Sequence, residues 1–224
     1  MQVGEYYSHK KGLEFIQVNY NNELDEVLCA IQQITAAEVL IKRSAEKTKP
    51  QLLFSPEAMN DKIKKYLCPL GWTQPAPNSK KGFKEPRITL ENGREFREMD
   101  GIKNKVGLEI QFGKYAFMGY DIFSKMPIFS KRGLIVCGIE VVAMPSLIPH
   151  MSTGVSSFSQ ITMDMRARGE ADIDIPTLII GIECTQDGWK AVEKKRQSYA
   201  ANPQAMIDSG AVLADRKGAK PGPK

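Results

Sequence analysis

Two stretches of the chain, LIVCGIEVV (134–142) and TLIIGI (177–182), are almost continuously apolar. That pattern belongs to strands covered on both faces. Around them the period changes, and strands alternate with helices. GLEIQF reads as a strand, YAFMGYDIFSK as a helix that Pro127 ends or kinks, and GLIVCGIEVVAM as a strand. A helix near SSFSQITMDMRAR and the strand IPTLIIGIE follow. The alternation predicts an α/β core.

Upstream, EYYSHKKGLEFIQVNY reads as a hairpin or paired edge, with Leu13, Phe15 and Gln17 on one face and a turn at Lys10 to Gly12. Leu24, Val27, Leu28, Ile31 and Ile34 then fall at helical spacing, after Asn21 or Asn22 as N-cap. RSAEKTKP is a charged linker. In FSPEAMNDKIKKYL, Ser55 caps a second helix, Pro56 suits its first position, and the helix runs to about Leu67. CPLGWTQPAPNSKKGFKEP has the composition of a loop. Beyond residue 190, KKRQSYAANPQAM has room for one helix, and ADRKGAKPGPK reads as a solvated, disordered end.

At 224 residues, 42% hydrophobic and 25% charged, the chain has the make-up of one sizeable globular domain with appendages. Residues 1–186 are expected to form that domain and 187–224 a basic extension. No run of about 18 apolar residues exists, and MQVGEYYSHKKG lacks a signal-peptide pattern, so a cytoplasmic protein with no membrane partner is expected. The four cysteines are scattered singly, which predicts free buried thiols and argues against zinc. The net charge of +5 is mostly in the tail: residues 187–224 hold eight Lys/Arg against four Asp/Glu, leaving 23 against 22 before them. Overall charge is therefore weak ground for nucleic-acid binding.

The chemistry lies in REMDGIKNKVGLEIQFGKY. Residues two apart on a strand share a face, so Glu109 and Gln111 point one way while Leu108, Ile110 and Phe112 point the other. A turn between Gly101 and Lys105 returns the chain so that Asp100 lies across from Glu109. Two carboxylates brought together repel unless a cation intervenes, and hard oxygen ligands select Mg²⁺. By spacing alone, a solvated hairpin with a partly exposed glutamate is the better explanation of the pattern. The other polar candidates have ordinary explanations: His9 and His150 as surface or packing residues, Trp72 and Trp189 as packing anchors, Lys62, Lys64 and Lys65 as a solvated helix face.

The run DGIKNKVGLEIQFGKYAF resembles the metal-binding core of BglII-type type II restriction endonucleases, of the PD-(D/E)xK superfamily, with Gln in place of the final Lys. The resemblance extends through YSHKKGLEFIQV, EKTKPQLLFSPEAMNDKIKKYL, MSTGVSSF and PTLIIGI, from about residue 5 to 183, and is greatest to the BstYI branch, which cuts R/GATCY. It implies a restriction-endonuclease-like α/β core, a central mixed β-sheet flanked by helices, in which Asp100 and Glu109 are Mg²⁺ ligands, the Ile110 carbonyl is a third, and Gln111 completes the catalytic set. Gln111 brings no positive charge to the reacting phosphate, and Met99 stands where the motif has Pro. A further upstream polar residue belongs to the family's site; Glu95 and Glu98 are candidates.

The resemblance also implies a homodimer around double-stranded DNA, with base contacts from Lys114 and from Ser152 and Thr153. A single ammonium at Lys114 suits N7 of either purine, which fits a degenerate outer base around a GATC core, cleavage before G and a four-base 5′ overhang. Thr153 stands where the BstYI branch has Ser. Lys114 as a solvated lysine and MSTG as a helix cap remain compatible with these roles. A cognate methyltransferase protecting host DNA is the expected genetic partner. The alternatives are a sequence-specific DNA-binding protein that does not cleave, and a nuclease for damaged or branched DNA.

Overall fold

The computed structural model describes residues 1–91 and 93–213, so the expected disordered end, 214–224, lies outside the described residues. A five-stranded sheet organises the chain. Its strands are β1 (Gln2–His9), β2 (Gly101–Lys103), β3 (Val106–Gln111), β4 (Cys137–Ala143) and β5 (Thr177–Glu183). They lie in the order β1-β5-β4-β3-β2. The central pairs β5/β4 and β4/β3 are parallel, and β1 and β2 close the edges antiparallel. The sheet is therefore mixed and flanked by helices, as the resemblance implies. Both apolar runs are central strands, and every residue of β4 is buried.

One face carries the main core. Leu108, Ile110, Ile139, Val141, Leu178 and Ile180 pack there against the helices α1 (Gly12–Asn19), α2 (Asn21–Gln32) and α3 (Pro56–Leu67). Ser55 caps α3 by accepting from the Ala58 amide at 3.3 Å, with Pro56 at the first position. The opposite face is covered by a long composite helix and by α6 (Phe158–Arg168). The composite consists of α4 (Tyr115–Tyr120), a π-helical segment (Asp121–Lys125) and α5 (Met126–Lys131). Met118, Ile122, Ile161 and Met165 pack there with Val142 and Ile179.

Several expectations are corrected. Residues 12–19 form a helix where a hairpin strand is expected. Strand alternation at Leu13 and Phe15 competes there with the helical spacing of Gly12 and Ile16, and burial of those two decides it. The turn does fall at Lys10 and Lys11, both with positive φ. Gly12 is required by contact, since a Cβ there would come within 2.3 Å of the Thr177 backbone. Pro127 does not end its helix. The preceding segment is wound to five-residue hydrogen bonds, the Met126 amide donating to the Asp121 carbonyl, and the helix continues to Lys131. Cys29 is exposed and Cys68 partly so, and only Cys137 and Cys184 are buried thiols.

Past residue 186 the chain does not leave the core at once. Helix α7 (Gln186–Ala201) buries Val192 and Tyr199 in the main core, and Pro203 follows its end. Trp72 is fully buried and donates to Glu26, and Trp189 packs against Phe54 and His150. His9 is a core residue hydrogen-bonded to Asp174 at 3.1 Å. Among the described residues, no helix is long and apolar enough to cross a membrane.

Candidate active site

The hairpin β2–β3 turns at Asn104 and Lys105, both with positive φ, the geometry of a tight two-residue turn. Pairing of Gly101 with Leu108 leaves Asp100 opposite the Glu109–Ile110 peptide, and Asp100 Oδ2 accepts from the Ile110 amide at 2.8 Å. Glu109 is 3% exposed and shares its sheet face with Gln111. In the neighbouring strand Glu140 is in register with Glu109. Glu140 is wholly buried, and neither of its carboxyl oxygens has a hydrogen-bond partner.

The composite helix meets this row of acids through its π segment. Lys125 Nζ lies 2.9 Å from Glu109 Oε1 and 2.5 Å from Asp121 Oδ1. Gln111 Nε2 donates to Asp121 Oδ2 at 3.0 Å, and its Oε1 accepts from the Gly113 amide at 2.8 Å. From the other side, α3 contributes two residues one turn apart. Lys64 Nζ lies 2.5 Å from Asp100 Oδ1 and 3.3 Å from Glu85, and Asn60 Nδ2 donates to the Ile110 carbonyl at 3.2 Å. The other side-chain atom of Asn60, Oδ1, is buried without a partner.

This crowding sets the protonation of the site. Burial, then repulsion from Asp100 and Asp121, pushes the Glu109 carboxyl well above its ordinary range. Burial does the same to Glu140, followed by repulsion from Asp121 and Glu109. Asp121 is raised by burial in spite of Lys125. Burial opposes the charge on Lys64, but Asp100 and then Glu85 outweigh it and hold the ammonium protonated. Glu109 and Asp121 do the same for Lys125.

The sequence therefore identifies three members of the cluster, Asp100, Glu109 and Gln111, and the Ile110 carbonyl lies among them. It misses Asp121, Lys125, Glu140, Asn60 and Lys64. Lys64 does not belong to a solvated face. Glu98 is not in the site, since it pairs with Arg87 at 2.6 Å across a small hairpin (Arg87–Thr89 with Phe96–Glu98). Glu95 lies at the same hairpin, its carbonyl bonded to the Leu90 amide.

Among the described residues, no three His, Cys, Asp or Glu side chains stand ready to hold a metal ion. The two ammonium groups sit between the carboxylates instead. The donor set itself suits a hard divalent cation: carboxylates and a backbone carbonyl, with the Glu140 oxygens and Asn60 Oδ1 unsatisfied.

Just past β3, Lys114 is exposed and forms an isolated bridge with Val155, while the Ser156 amide donates to the Gly113 carbonyl at 3.2 Å. The loop carrying Ser152 and Thr153 thus lies beside Lys114. Ser152 Oγ accepts from Lys42 Nζ at 2.5 Å, and Thr153 donates to Glu46. Neither caps α6. That role belongs to Ser157, through a capping box with Gln160.

A family model described as restriction endonuclease BglII/BglIII matches residues 4–182. The chain belongs to that family. It is accordingly a site-specific deoxyribonuclease of the BglII type, and DNA is its substrate. Enzymes of this family generally act with a divalent metal. A crystal structure of restriction endonuclease BglII complexed with a DNA 16-mer is similar to it in fold, with a TM-score of 0.62 and 18% identity over 83% of this chain and 80% of that one. Free BglII is similar at a TM-score of 0.57 and the same identity, over 83% of this chain and 82% of that one. No curated protein sequence matches the chain.

Proposed function

We propose that this enzyme hydrolyses double-stranded DNA with Mg²⁺ at a palindromic site with a GATC core, R/GATCY, cutting before G to leave four-base 5′ overhangs. The observation that carries the cleavage reading is the meeting of Asp100 with the Glu109–Ile110 segment, beside an unpartnered Glu140. Asp100, Glu109 and the Ile110 carbonyl would hold the ion, which when bound polarises the phosphate and makes its bound water more acidic. The remaining work falls to the chain itself. Gln111 orients Asp121, Asn60 fixes the Ile110 carbonyl, and burial of Glu109 keeps the site's dielectric low, which strengthens each charge interaction.

The specificity rests on resemblance to the BstYI branch of the PD-(D/E)xK superfamily and on the adjacency of Lys114 to the Ser152–Thr153 loop. Lys114 reads the outer purine, and Ser152 and Thr153 supply further base contacts, the extra methyl of Thr153 bearing on the outer-base preference. A palindromic site calls for a homodimer, and protection of host DNA calls for a matching methyltransferase. Residues 1–186 carry the catalytic and recognition elements, and the basic segment 187–224 begins in α7, which is packed on the same core.

A second reading, a specific DNA-binding protein without cleavage, is favoured by the ammonium groups of Lys64 and Lys125 standing between the carboxylates. Digestion of a mapped plasmid with Mg²⁺ and sequencing of the ends separates the two. The expected product is a set of fragments with 5′ GATC overhangs at R/GATCY. Ends at other sequences overturn the specificity, and an intact plasmid overturns cleavage.

A further inference from the structure

Residue 111 is where the superfamily's lysine is expected, and an amide there carries no charge toward a phosphate that gains negative charge as it reacts. The site nevertheless contains a fixed cation, delivered from another element. Lys125 Nζ is 2.9 Å from Glu109 Oε1 and 2.5 Å from Asp121 Oδ1, with its side chain 14% exposed. The opposite oxygen of Asp121 accepts from Gln111, which is itself anchored by the Gly113 amide. A continuous chain of polar contacts thus runs from the end of β3 through Gln111 and Asp121 to Lys125 and back to Glu109.

The backbone is shaped around this arrangement. Asp121 and Lys125 begin and end a π-helical segment, a departure from α-helix that occurs mostly at functional sites. The next residue, Met126, is seated directly on the sheet at Gly138, where a Cβ would fall 2.4 Å from its sulfur. The glycine therefore sets how close the helix, and with it Lys125, comes to β3 and β4. Two buried carboxylates converge on one ammonium, and Glu140 stands next to them. A pairing retained only for stability gains little from such a cluster, since apolar side chains of similar volume usually do as well.

We propose that Lys125 supplies from the helix the positive charge that residue 111 supplies from the strand in relatives with lysine there, with Gln111 and Asp121 as its positioning residues. The assignment rests on the cleavage reading given above. It also means that the ammonium shares Glu109 with any divalent ion, so that metal and lysine compete for that carboxylate.

The test uses the full chain and the variants Lys125→Met and Lys125→Arg. Three quantities are measured: single-turnover cleavage of a GATC-core duplex at saturating Mg²⁺, binding of the same duplex in Ca²⁺, and calorimetric titration of Mn²⁺ onto DNA-free protein. Lys125→Met is expected to cleave at least about a hundredfold more slowly while binding duplex within about threefold of wild type. Lys125→Arg is expected to recover about tenfold or more of that loss, because it restores the charge. Mn²⁺ is expected to bind DNA-free Lys125→Met more tightly than wild type, the competing cation being gone.

Cleavage by Lys125→Met within about threefold of wild type overturns the assignment, as does Lys125→Arg no faster than Lys125→Met. Unchanged Mn²⁺ affinity overturns the shared carboxylate. Should Lys125→Met fail to fold by circular dichroism, the charge-balanced Asp121→Asn/Lys125→Met must show the same loss of cleavage with duplex binding intact. A wild-type protein that cuts no duplex sinks the nuclease reading and this assignment with it. Wild-type cutting matched by Lys125→Met sinks the lysine alone.

Discussion

Gln111 belongs to the candidate cleavage centre and Lys114, three residues on, to the candidate recognition rim, yet the two regions are built on opposite terms. In the centre, Glu109, Asp121 and Glu140 are 3%, 2% and 0% exposed; the half-buried Lys125 pairs with the first two, and the buried Lys64 with Asp100 beside them. On the rim, Lys114 and Thr153 face solvent, and the hydroxyls of Ser152 and Thr153 are tied to the long side chains of Lys42 and Glu46. Charges in a low-dielectric pocket act strongly and must be held in place, which explains anchorage from β2, β3, β4, α3 and the π segment. Groups that read bases must exchange partners, and a hydroxyl shared with an exposed glutamate gives up its bond at little cost. Thr153 illustrates this: its hydrogen bond lowers the Glu46 carboxyl below its ordinary range, and DNA would have to replace that bond.

The sharpest way to break the comparison is to remove charge from the centre. Glu109→Ala is expected to cut at least about a thousandfold more slowly while specific duplex binding remains measurable. Parallel cleavage time courses and gel shifts on one preparation check this. Circular dichroism of the same preparation checks that the variant folds. Cutting at the wild-type rate would mean that chemistry occurs elsewhere.

A smaller effect is expected on the rim. Lys114→Ala should cost about 1–3 kcal/mol of discrimination at the outer base pair and leave the GATC core preference in place. A panel of duplexes with all outer pairs measures it. Uniform weakening across the panel with a shallower salt dependence would instead make Lys114 a phosphate contact.

The smallest effect concerns stability. The folded-state carboxyl of Glu140 titrates well above its ordinary value of 4.5, because of burial first and neighbouring acids second. Below that value both folded and unfolded chains are protonated there. As pH rises past it the unfolded chain ionises first, so stability is lost with increasing pH until the folded carboxyl also ionises. The ion-free melting temperature should therefore fall as the pH is raised above the ordinary value of 4.5, and Glu140→Gln should flatten that fall by a few degrees. Equal slopes would show that Glu140 does not carry the effect.

The fold was legible where burial is two-sided. The runs at 134–142 and 177–182 have no other stable place than a central sheet, and Ser55-Pro56 fixes the start of α3 through its own side chain. It was illegible where tertiary contact chooses between two local patterns, as at residues 12–19, or where a neighbouring turn absorbs a breaker, as at Pro127. The site divides in the same way. Strand alternation and one hairpin, which are local facts, place Asp100, Glu109 and Gln111 together, and the family resemblance singles them out as a site. Asp121, Lys125, Asn60 and Lys64 arrive from helices, and their approach depends on strand order and packing that no local spacing encodes. Glu140 did leave a trace, as the lone acid inside LIVCGIEVV, and Asp121 and Lys125 left another, as charges among the apolar positions Met118, Ile122 and Met126.

The most direct measurement is anomalous diffraction from crystals of the protein with a GATC-core duplex and Mn²⁺. A manganese peak bounded by Asp100, Glu109 and the Ile110 carbonyl is the expected result. Cleaved DNA in the crystal with Lys64 still paired to Asp100 and Lys125 to Glu109, and manganese bound elsewhere, would contradict it.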